Sequence, residues 1–312
     1  PNAALTALMV CFGIAGAAAG FATPAWFDLI SKVIPLQRRG LFTGLSFGLG
    51  ALMGVAGAAV IGIVLERGPS RDGLVVLLGL AGVSIPISGM GRALNRDPAS
   101  PSVRPPTPLR EYLRRLPGIM RGDANFARYV AAMAVARGGT MAGGFFLVYG
   151  SARFELGGAE VGILTGVLIG CQALLNPLWG MLGDRRGHKV VLVCGAVALA
   201  FGALTAALAP SWHWLLLAFT LVGAFISADT ASFLTIIPEF CADEDRPTYI
   251  GLTNSLLAPV TPLIGGWLAQ QFGYTPMFGV SAGLALLGAL LLAFLVREPR
   301  FHRRTGLHSS ST

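Results

Sequence analysis

The stretch "GMLGDRRGHK", residues 180–189, decides how the rest of the chain is interpreted. It gathers one aspartate, three basic residues and a histidine into ten positions, whereas the 312-residue chain is 54% hydrophobic and only 12% charged. Charge concentrated at one point of so apolar a sequence predicts a short polar connection between two membrane-buried segments. The topology of the chain can be worked out from this connection in both directions.

Apolar runs of about 20 residues flank this connection and recur along the chain, which is the length that a transmembrane helix needs. The runs show no alternation of polar and apolar residues, and the 42 glycines of the chain allow helices to pack closely. The predicted fold class is therefore all-α, a polytopic membrane helix bundle. The nine predicted spans are 3–34, 41–65, 74–94, 125–149, 159–181, 190–209, 213–237, 248–270 and 276–296.

The basic residues fall mainly at one end of these spans. Of the 23 Lys and Arg residues, nineteen lie at one end, three at the other, and Arg137 lies inside a span. The positive-inside rule assigns the end with nineteen to the cytoplasm. We therefore predict a multi-pass protein of the cell (inner) membrane. Its predicted cytoplasmic segments are the loops at 35–40, 95–124, 183–189 and 239–247 and the C-terminus.

Two short stretches resemble each other at a distance of 207 residues. "RGLFTGL" (39–45) and "RPTYIGL" (246–252) share an arginine, an aromatic residue, a glycine and a leucine at identical spacing, and each opens a span from the cytoplasmic side. Repeats of this kind are typical of transporters built from two similar halves, although seven positions can also match by chance. If the halves correspond, three further helices precede Pro1 and the complete protein has twelve.

The stretch at 180–189 resembles the cytoplasmic signature of the major facilitator superfamily, a glycine followed by D-R-x-G and basic residues. His188 stands where that family usually has arginine. The resemblance implies two pseudo-symmetric helical bundles, with nine of the twelve helices present here. The implied domains are 1–94, the last three helices of the N-terminal bundle; 95–124, a cytoplasmic linker; 125–297, the six-helix C-terminal bundle; and 298–312, a cytoplasmic tail.

The linker begins with a proline-rich segment. Its second half carries apolar residues at helical spacing opposite arginines, which predicts a helix lying on an anionic membrane surface. A solvated basic loop is the alternative. The apolar positions are Leu109, Tyr112, Leu113 and Leu116.

The family resemblance also implies a gating role for the charged loop, which latches one half against the other and is released as the transporter changes state. Glycine permits the tight turn, and the Asp184 carboxylate is suited to accept hydrogen bonds from free amides at a helix N-terminus. Symmetry places its docking point near the span start at 40–44. A loop that only sets the topology is the alternative. The gating residues implied are Gly180, Asp184, Arg185, Gly187 and Lys189.

Two charged residues lie deep inside predicted spans. Arg137 is twelve residues from Asn125, and Asp229 is nine residues from Pro238, which places them about 18 Å and about 14 Å deep in an α-helix. Charges at such depth require water or a partner. We expect both to face a central cavity, with Arg137 binding an anionic or polar solute group and Asp229 pairing with it or carrying a proton. A purely structural ion pair is the alternative.

Three amide side chains are further substrate-binding candidates. Gln172 and Asn176 lie one helical turn apart, and Asn254 precedes two prolines that kink its helix. Small polar residues in membrane helices also commonly bond to neighbouring helices, which is the alternative. Asp28 and Lys32, four residues apart near the cytoplasmic end of the first span, are interpreted as a surface pair without a role in transport.

These features predict a secondary active transporter that moves a small solute through the lipid bilayer by alternating access, with protons as a candidate coupling ion. A non-transporting scaffold or sensor of the same fold is the alternative. An enzyme is not predicted, because the histidines are dispersed and no nucleophile, base or metal set is clustered. The scattered cysteines predict neither a disulfide framework nor a zinc site, and no cofactor is predicted. The basic residues act as topology signals, so nucleic acid is not an expected partner.

Overall fold

The computed structural model describes residues 2–66, 71–94, 117–241, 245–255 and 261–299, and no β-strand occurs among them. The all-α fold class is confirmed. The linker positions 109–116 lie outside the described residues. The α-helices are α1 (Asn2–Val33), α2 (Arg39–Glu66), α3 (Arg71–Ala93), α4 (Ala124–Gly138), α5 (Phe146–Phe154), α6 (Gly158–Arg186), α7 (His188–Ala207), α8 (His213–Ser232), α9 (Arg246–Ser255), α10 (Thr261–Phe272) and α11 (Tyr274–Leu295).

A helix occupies each predicted span, and the span at 248–270 is divided between α9 and α10, with residues 256–260 outside the described part. By length and composition, six helical stretches of the described chain could cross a bilayer. They are Leu36–Gly57, Ala124–Phe154, Gly158–Arg186, His188–Ala207, His213–Ser232 and Tyr274–Leu295.

The predicted span at 125–149 changes helix type in its middle. α4 ends at Gly138, a 3₁₀ helix follows over Gly139–Phe145, and α5 then continues in the same stretch. The change begins at a close contact with α11, where a Cβ on Gly139 would lie only 2.7 Å from the Cβ of Ala285. The Ser281 hydroxyl of α11 donates to the Gly139 carbonyl, so tertiary contacts accompany this departure from α-helical geometry.

Two apolar clusters form the interior. The first surrounds α5 and the facing ends of α7, α8 and α11, where the Phe146 and Phe278 rings stack with centroids 5.1 Å apart. The second lies towards the predicted cytoplasmic side and joins Phe27 of α1 to Tyr129, Phe233 and other residues of the later helices. The second cluster therefore connects the helices before the linker with those after it.

α2 packs against α6 along a row of glycines spaced one turn apart. A Cβ on Gly44 would overlap the Asn176 carbonyl oxygen, and one on Gly48 would lie 3.1 Å from the carbonyl oxygen of Ala173. Only glycine allows two helix backbones to come this close. The contact brings the start of α2 to the end of α6, where the charged loop begins.

Candidate functional site

A cavity of about 480 Å³ opens between α1 and α2 on one side and α4 and α8 on the other. Five aromatic side chains from α1, α2 and the turn after α8 line it: Trp26, Phe27, Phe42, Phe47 and Phe233. An ion pair and a few hydroxyl groups supply the polar part of the lining. A mostly apolar cavity with a few convergent polar groups is the usual form of a site for a small organic molecule.

The ion pair in the cavity wall is formed by Arg137 of α4 and Asp229 of α8. The Arg137 Nη2 lies 2.6 Å from Asp229 Oδ2, and its Nε lies 3.3 Å from Oδ1, so the contact is bidentate. The two side chains are 20% and 19% exposed. Each buried charge is therefore compensated, and both can be reached from the cavity.

The Arg137 side chain also contacts the face of an aromatic ring. Its Cζ lies 3.5 Å from the centroid of the Phe233 ring, a cation–π contact. The buried Tyr129 hydroxyl donates to the Phe233 carbonyl oxygen at 2.8 Å. Tyr129 precedes Arg137 by about two turns on α4, and helical side chains lean towards the helix N-terminus, so the two residues can engage one partner. Our sequence analysis did not identify Tyr129, although its spacing of two turns from Arg137 could have indicated that the two residues act together.

The predicted amide ligands take different positions. Asn176 is 2% exposed; its amide nitrogen donates to the Gln172 carbonyl oxygen, and its Oδ1 accepts from the Thr230 hydroxyl, both at 2.8 Å. Neither Gln172 nor Asn176 is among the residues that line the described cavity. This geometry favours the helix-to-helix alternative for Asn176. The side chain of Asn254 lies outside the described part of the chain, and its substrate contact stays a prediction.

The charged loop contacts the first turn of α2 through Asp184. The backbone N–H groups of Gly40 and Leu41 donate to the two carboxylate oxygens of Asp184 at 2.9 and 2.7 Å. These amides belong to the group that an α-helix leaves without internal partners at its N-terminus, where the helix dipole favours an anion. The contact lies at the docking point expected from symmetry, whereas its role in gating stays a prediction. We call this pair of hydrogen bonds the Asp184 contact.

Glycines of α2 and α6 make the Asp184 contact sterically possible, and only Gly187 lies between α6 and α7. A Cβ on Gly180 would overlap the carbonyl oxygen of Gly40, and a Cβ on Gly40 would lie 2.9 Å from Asp184 Oδ1. Gly187 ends α6 with φ of 95°, in the left-handed region that favours glycine. Larger residues at these positions would separate α2 from α6 or strain the turn.

The basic residues of the loop are divided between solvent and helix ends. Arg185 and Arg186 are exposed, whereas the Lys189 ammonium donates to the Ala293 carbonyl oxygen at 2.7 Å, a favourable place for a cation in the last turn of α11. The Lys189 backbone N–H donates to Glu298 Oε2 at 3.1 Å. Our sequence analysis did not identify Glu298.

His188 is fully buried and is not part of the basic surface of the loop. Its Nδ1 lies 3.0 Å from the Ser232 hydroxyl of α8, and its Nε2 lies 3.9 Å from Asp184 Oδ1. A Cβ on Gly40 would lie 2.7 Å from the ring, and one on Gly183 would overlap it. The imidazole therefore fills the junction of α2, α6 and α8.

Asp28 takes part in more than the predicted surface pair. It lies 2.7 Å from the Lys32 ammonium, as the spacing predicted, and its other carboxylate oxygen is 3.7 Å from the Arg246 guanidinium. Because Arg246 opens α9, this second ion pair connects the C-terminal end of α1 to a helix beyond the linker. The interpretation as an isolated pair was incomplete, since α9 approaches α1 only in the folded chain.

Comparison with known proteins adds a family and several relatives. The sequence profile of the Major Facilitator Superfamily matches residues 129–310. The multidrug resistance protein MdtG of Citrobacter koseri is 33% identical over 142 residues, which cover 44% of this chain and 34% of that protein. MdtG of Enterobacter lignolyticus is 32% identical over 142 residues, covering 44% and 33%, respectively. The matched stretch thus covers about a third of the length of these relatives.

Proposed function

The chain belongs to the major facilitator superfamily, and from this membership we propose that it acts in a secondary active transporter that carries a small organic solute by alternating access. The observation that carries the proposal is the Arg137–Asp229 ion pair in the wall of an aromatic cavity between α1 and α2 and the helices beyond the linker. The relatives are named multidrug resistance proteins, and this name supports an organic solute of drug size.

We further propose that the chain divides functionally at the linker. In this division, residues 1–94 and 125–297 rock against each other around the cavity, 95–124 connects them, and 298–312 is a tail. The cavity between the two groups of helices supports this arrangement. The Asp184 contact closes the cytoplasmic side by joining α6 to α2, and Gly180, Arg185, Gly187 and Lys189 act with it as the gating motif.

The ion pair gives a physical basis for proton coupling. While Asp229 is charged, it occupies Arg137 through a bidentate contact. A proton on Asp229 removes the attraction and leaves Arg137 available to an anionic or polar solute group. Proton binding and solute binding therefore favour each other, because each lowers the cost of breaking the same ion pair.

The direct test is transport in energised membrane vesicles that contain the complete protein, with Hoechst 33342 and fluorescein as cationic and anionic test solutes. We expect Arg137→Ala and Asp229→Asn to reduce transport of at least one dye about tenfold or more. Arg128→Ala is the matched control, since Arg128 is an exposed arginine on the same helix. Undiminished transport in both variants would overturn the proposal and favour the scaffold or sensor alternative.

A charge swap separates a solute site from a structural ion pair. The double variant Arg137→Asp with Asp229→Arg retains opposite charges across the α4–α8 contact, so we expect yield and thermal stability to recover relative to either single variant. Transport should stay low, because the cation no longer lies over the Phe233 ring, 3.5 Å away in the native protein. If the swap restored transport in full, the pair would have only a packing role.

A further inference from the structure

One helical turn at the end of α8 contacts three other helices. Asp229 binds Arg137 of α4, Thr230 bonds to Asn176 of α6, and Ser232 lies 3.0 Å from the His188 ring of α7. The next residue, Phe233, carries the cation–π contact, and its N–H donates to the Asp229 carbonyl oxygen at 2.8 Å. The same turn thus reaches the cavity on one side and the charged loop on the other.

We propose that this turn couples the cavity to the cytoplasmic side: a change of charge or partner at Asp229 is transmitted through Ser232 and His188 to the Asp184 contact. His188 is then a positioning residue, which acts through Asp184. The inference rests on the proposed function in one respect, namely that Asp229 changes its charge or its partner during transport.

The first step follows from the position of the turn. Ser232 comes three residues after Asp229, so both belong to the last turn of α8, where the helix ends. The Asp229 carbonyl accepts from the Phe233 N–H and the Ser232 carbonyl accepts from the Ile236 N–H, so this turn keeps its backbone hydrogen bonds and moves as a unit. Loss of the bidentate contact to Arg137 frees one side of this turn, so Ser232 is the residue that moves with it.

The second step follows from the packing around His188. His188 and Ser232 are both fully buried, and the ring has no spare space towards Gly40 or Gly183, where even a methyl group would clash. Protein interiors are close-packed and transmit displacements. A shift of the Ser232 hydroxyl must therefore turn or translate the imidazole.

The third step carries the displacement to α2. The Nε2 edge of the imidazole lies 3.9 Å from Asp184 Oδ1, the oxygen that accepts from Gly40. The other charged groups nearby have contacts elsewhere. Arg39 donates to carbonyl oxygens at the end of α1, the Lys189 ammonium donates to Ala293, and Glu298 accepts from the Lys189 N–H. Movement of the ring therefore acts first on the Asp184 carboxylate.

The state of the Asp184 contact can be measured directly by hydrogen–deuterium exchange. The Gly40 and Leu41 amides donate to Asp184, and amides in the first turn of a helix have no partner within the helix. Mass spectrometry of a proteolytic fragment covering residues 36–45, from protein in lipid nanodiscs, therefore reports this contact. Asp184→Asn sets the upper limit, and we expect it to raise exchange of these amides about tenfold.

The decisive comparison places Asp229→Asn in three backgrounds. In the native background we expect it to raise exchange of the fragment about fivefold, the lower end of typical coupling between sites. In Ser232→Ala or His188→Phe backgrounds, the same change should have an effect below about twofold. Ser227→Ala is the matched control: Ser227 is a buried serine of the same helix whose hydroxyl bonds only to α8 carbonyls among its described partners, and it should leave the fivefold effect intact.

The outcomes separate this inference from the proposed function. An Asp229→Asn effect that persists in the Ser232→Ala background would overturn the proposed route, and so would the absence of any effect in the native background. If His188→Phe does not yield folded protein, the Ser232→Ala background, which removes only one hydroxyl, still tests the proposed route. The exchange measurement needs no solute, so a protein without dye transport but with intact coupling would overturn only the transport proposal.

Discussion

The two similar stretches at 39–45 and 246–252 both start a helix at the predicted cytoplasmic side, yet they meet the rest of the protein in different ways. At α2 the backbone makes the contact, since the Gly40 and Leu41 amides hold Asp184 and Gly44 touches the Asn176 backbone. At α9 a side chain makes it, since Arg246 reaches Asp28. A Cβ on Gly251, the counterpart of Gly44, would meet no described atom within 4 Å.

This difference shows that the shared residues determine where a helix begins but not which contacts join that helix to the rest of the protein. A backbone contact requires glycine on at least one of the two helices and tolerates almost no added volume. An ion pair between two side chains, here with the arginine 7% and the aspartate 18% exposed, acts over a longer distance and adapts to small movements. We therefore expect substitutions at the start of α2 to have larger effects than the matching substitutions at α9.

The largest difference is expected between Gly44→Ala and Gly251→Ala. Both changes gain about 1 kcal/mol of helix propensity, so the comparison isolates the contact. Gly44→Ala forces α2 away from the Asn176 carbonyl and should destabilise the protein by about 3 kcal/mol, whereas Gly251→Ala should be neutral or stabilising. Thermal unfolding of the purified variants in detergent measures this. Equal melting temperatures would show that the α2–α6 contact is looser than described.

An intermediate difference is expected between Asp184→Asn and Asp28→Asn. The Asp184 carboxylate accepts two backbone hydrogen bonds. The loss of its charge should therefore destabilise the closed arrangement by about 2 kcal/mol. The Asp28 side chain is 18% exposed, so its loss should cost about 0.5 kcal/mol. Denaturation of both variants under identical conditions checks the ratio. A larger loss of stability in Asp28→Asn than in Asp184→Asn would contradict this expectation.

The smallest effect is expected from the Asp28–Arg246 pair itself. A double-mutant cycle of Asp28→Asn and Arg246→Gln should give a coupling energy of about 0.5 kcal/mol, because their separation of 3.7 Å is long for an ion pair. A coupling energy several times larger would place the α9 contact on a level with the α2 contact.

Features that depend on distance along one helix were predictable from the sequence. The apolar runs gave the helix positions, and the similar depths of Arg137 and Asp229 indicated that their side chains could meet. The preference of a carboxylate for a helix N-terminus, together with the repeat, indicated where Asp184 would lie.

Features that depend on how a helix is rotated about its axis were not predictable. Asn176 lies at a suitable depth but faces Thr230 of α8 and not the cavity. His188 was noted only as a departure from the arginine usual at its position, and the close packing of Gly40 and Gly183 around its ring was not foreseen. Glu298 reaches its partner Lys189 across 109 residues of sequence, a separation at which local patterns carry no information about contact.

The 3₁₀ segment Gly139–Phe145, which begins two residues after Arg137, lengthens its membrane span. A 3₁₀ helix rises about 2.0 Å per residue and an α-helix about 1.5 Å, so rewinding these seven residues as α-helix would shorten the span by about 3.5 Å. α5 would be drawn inward and rotated about its own axis while α4 and its arginine stayed in place. The 3₁₀ geometry thus sets how far α5 reaches from the ion pair along its span.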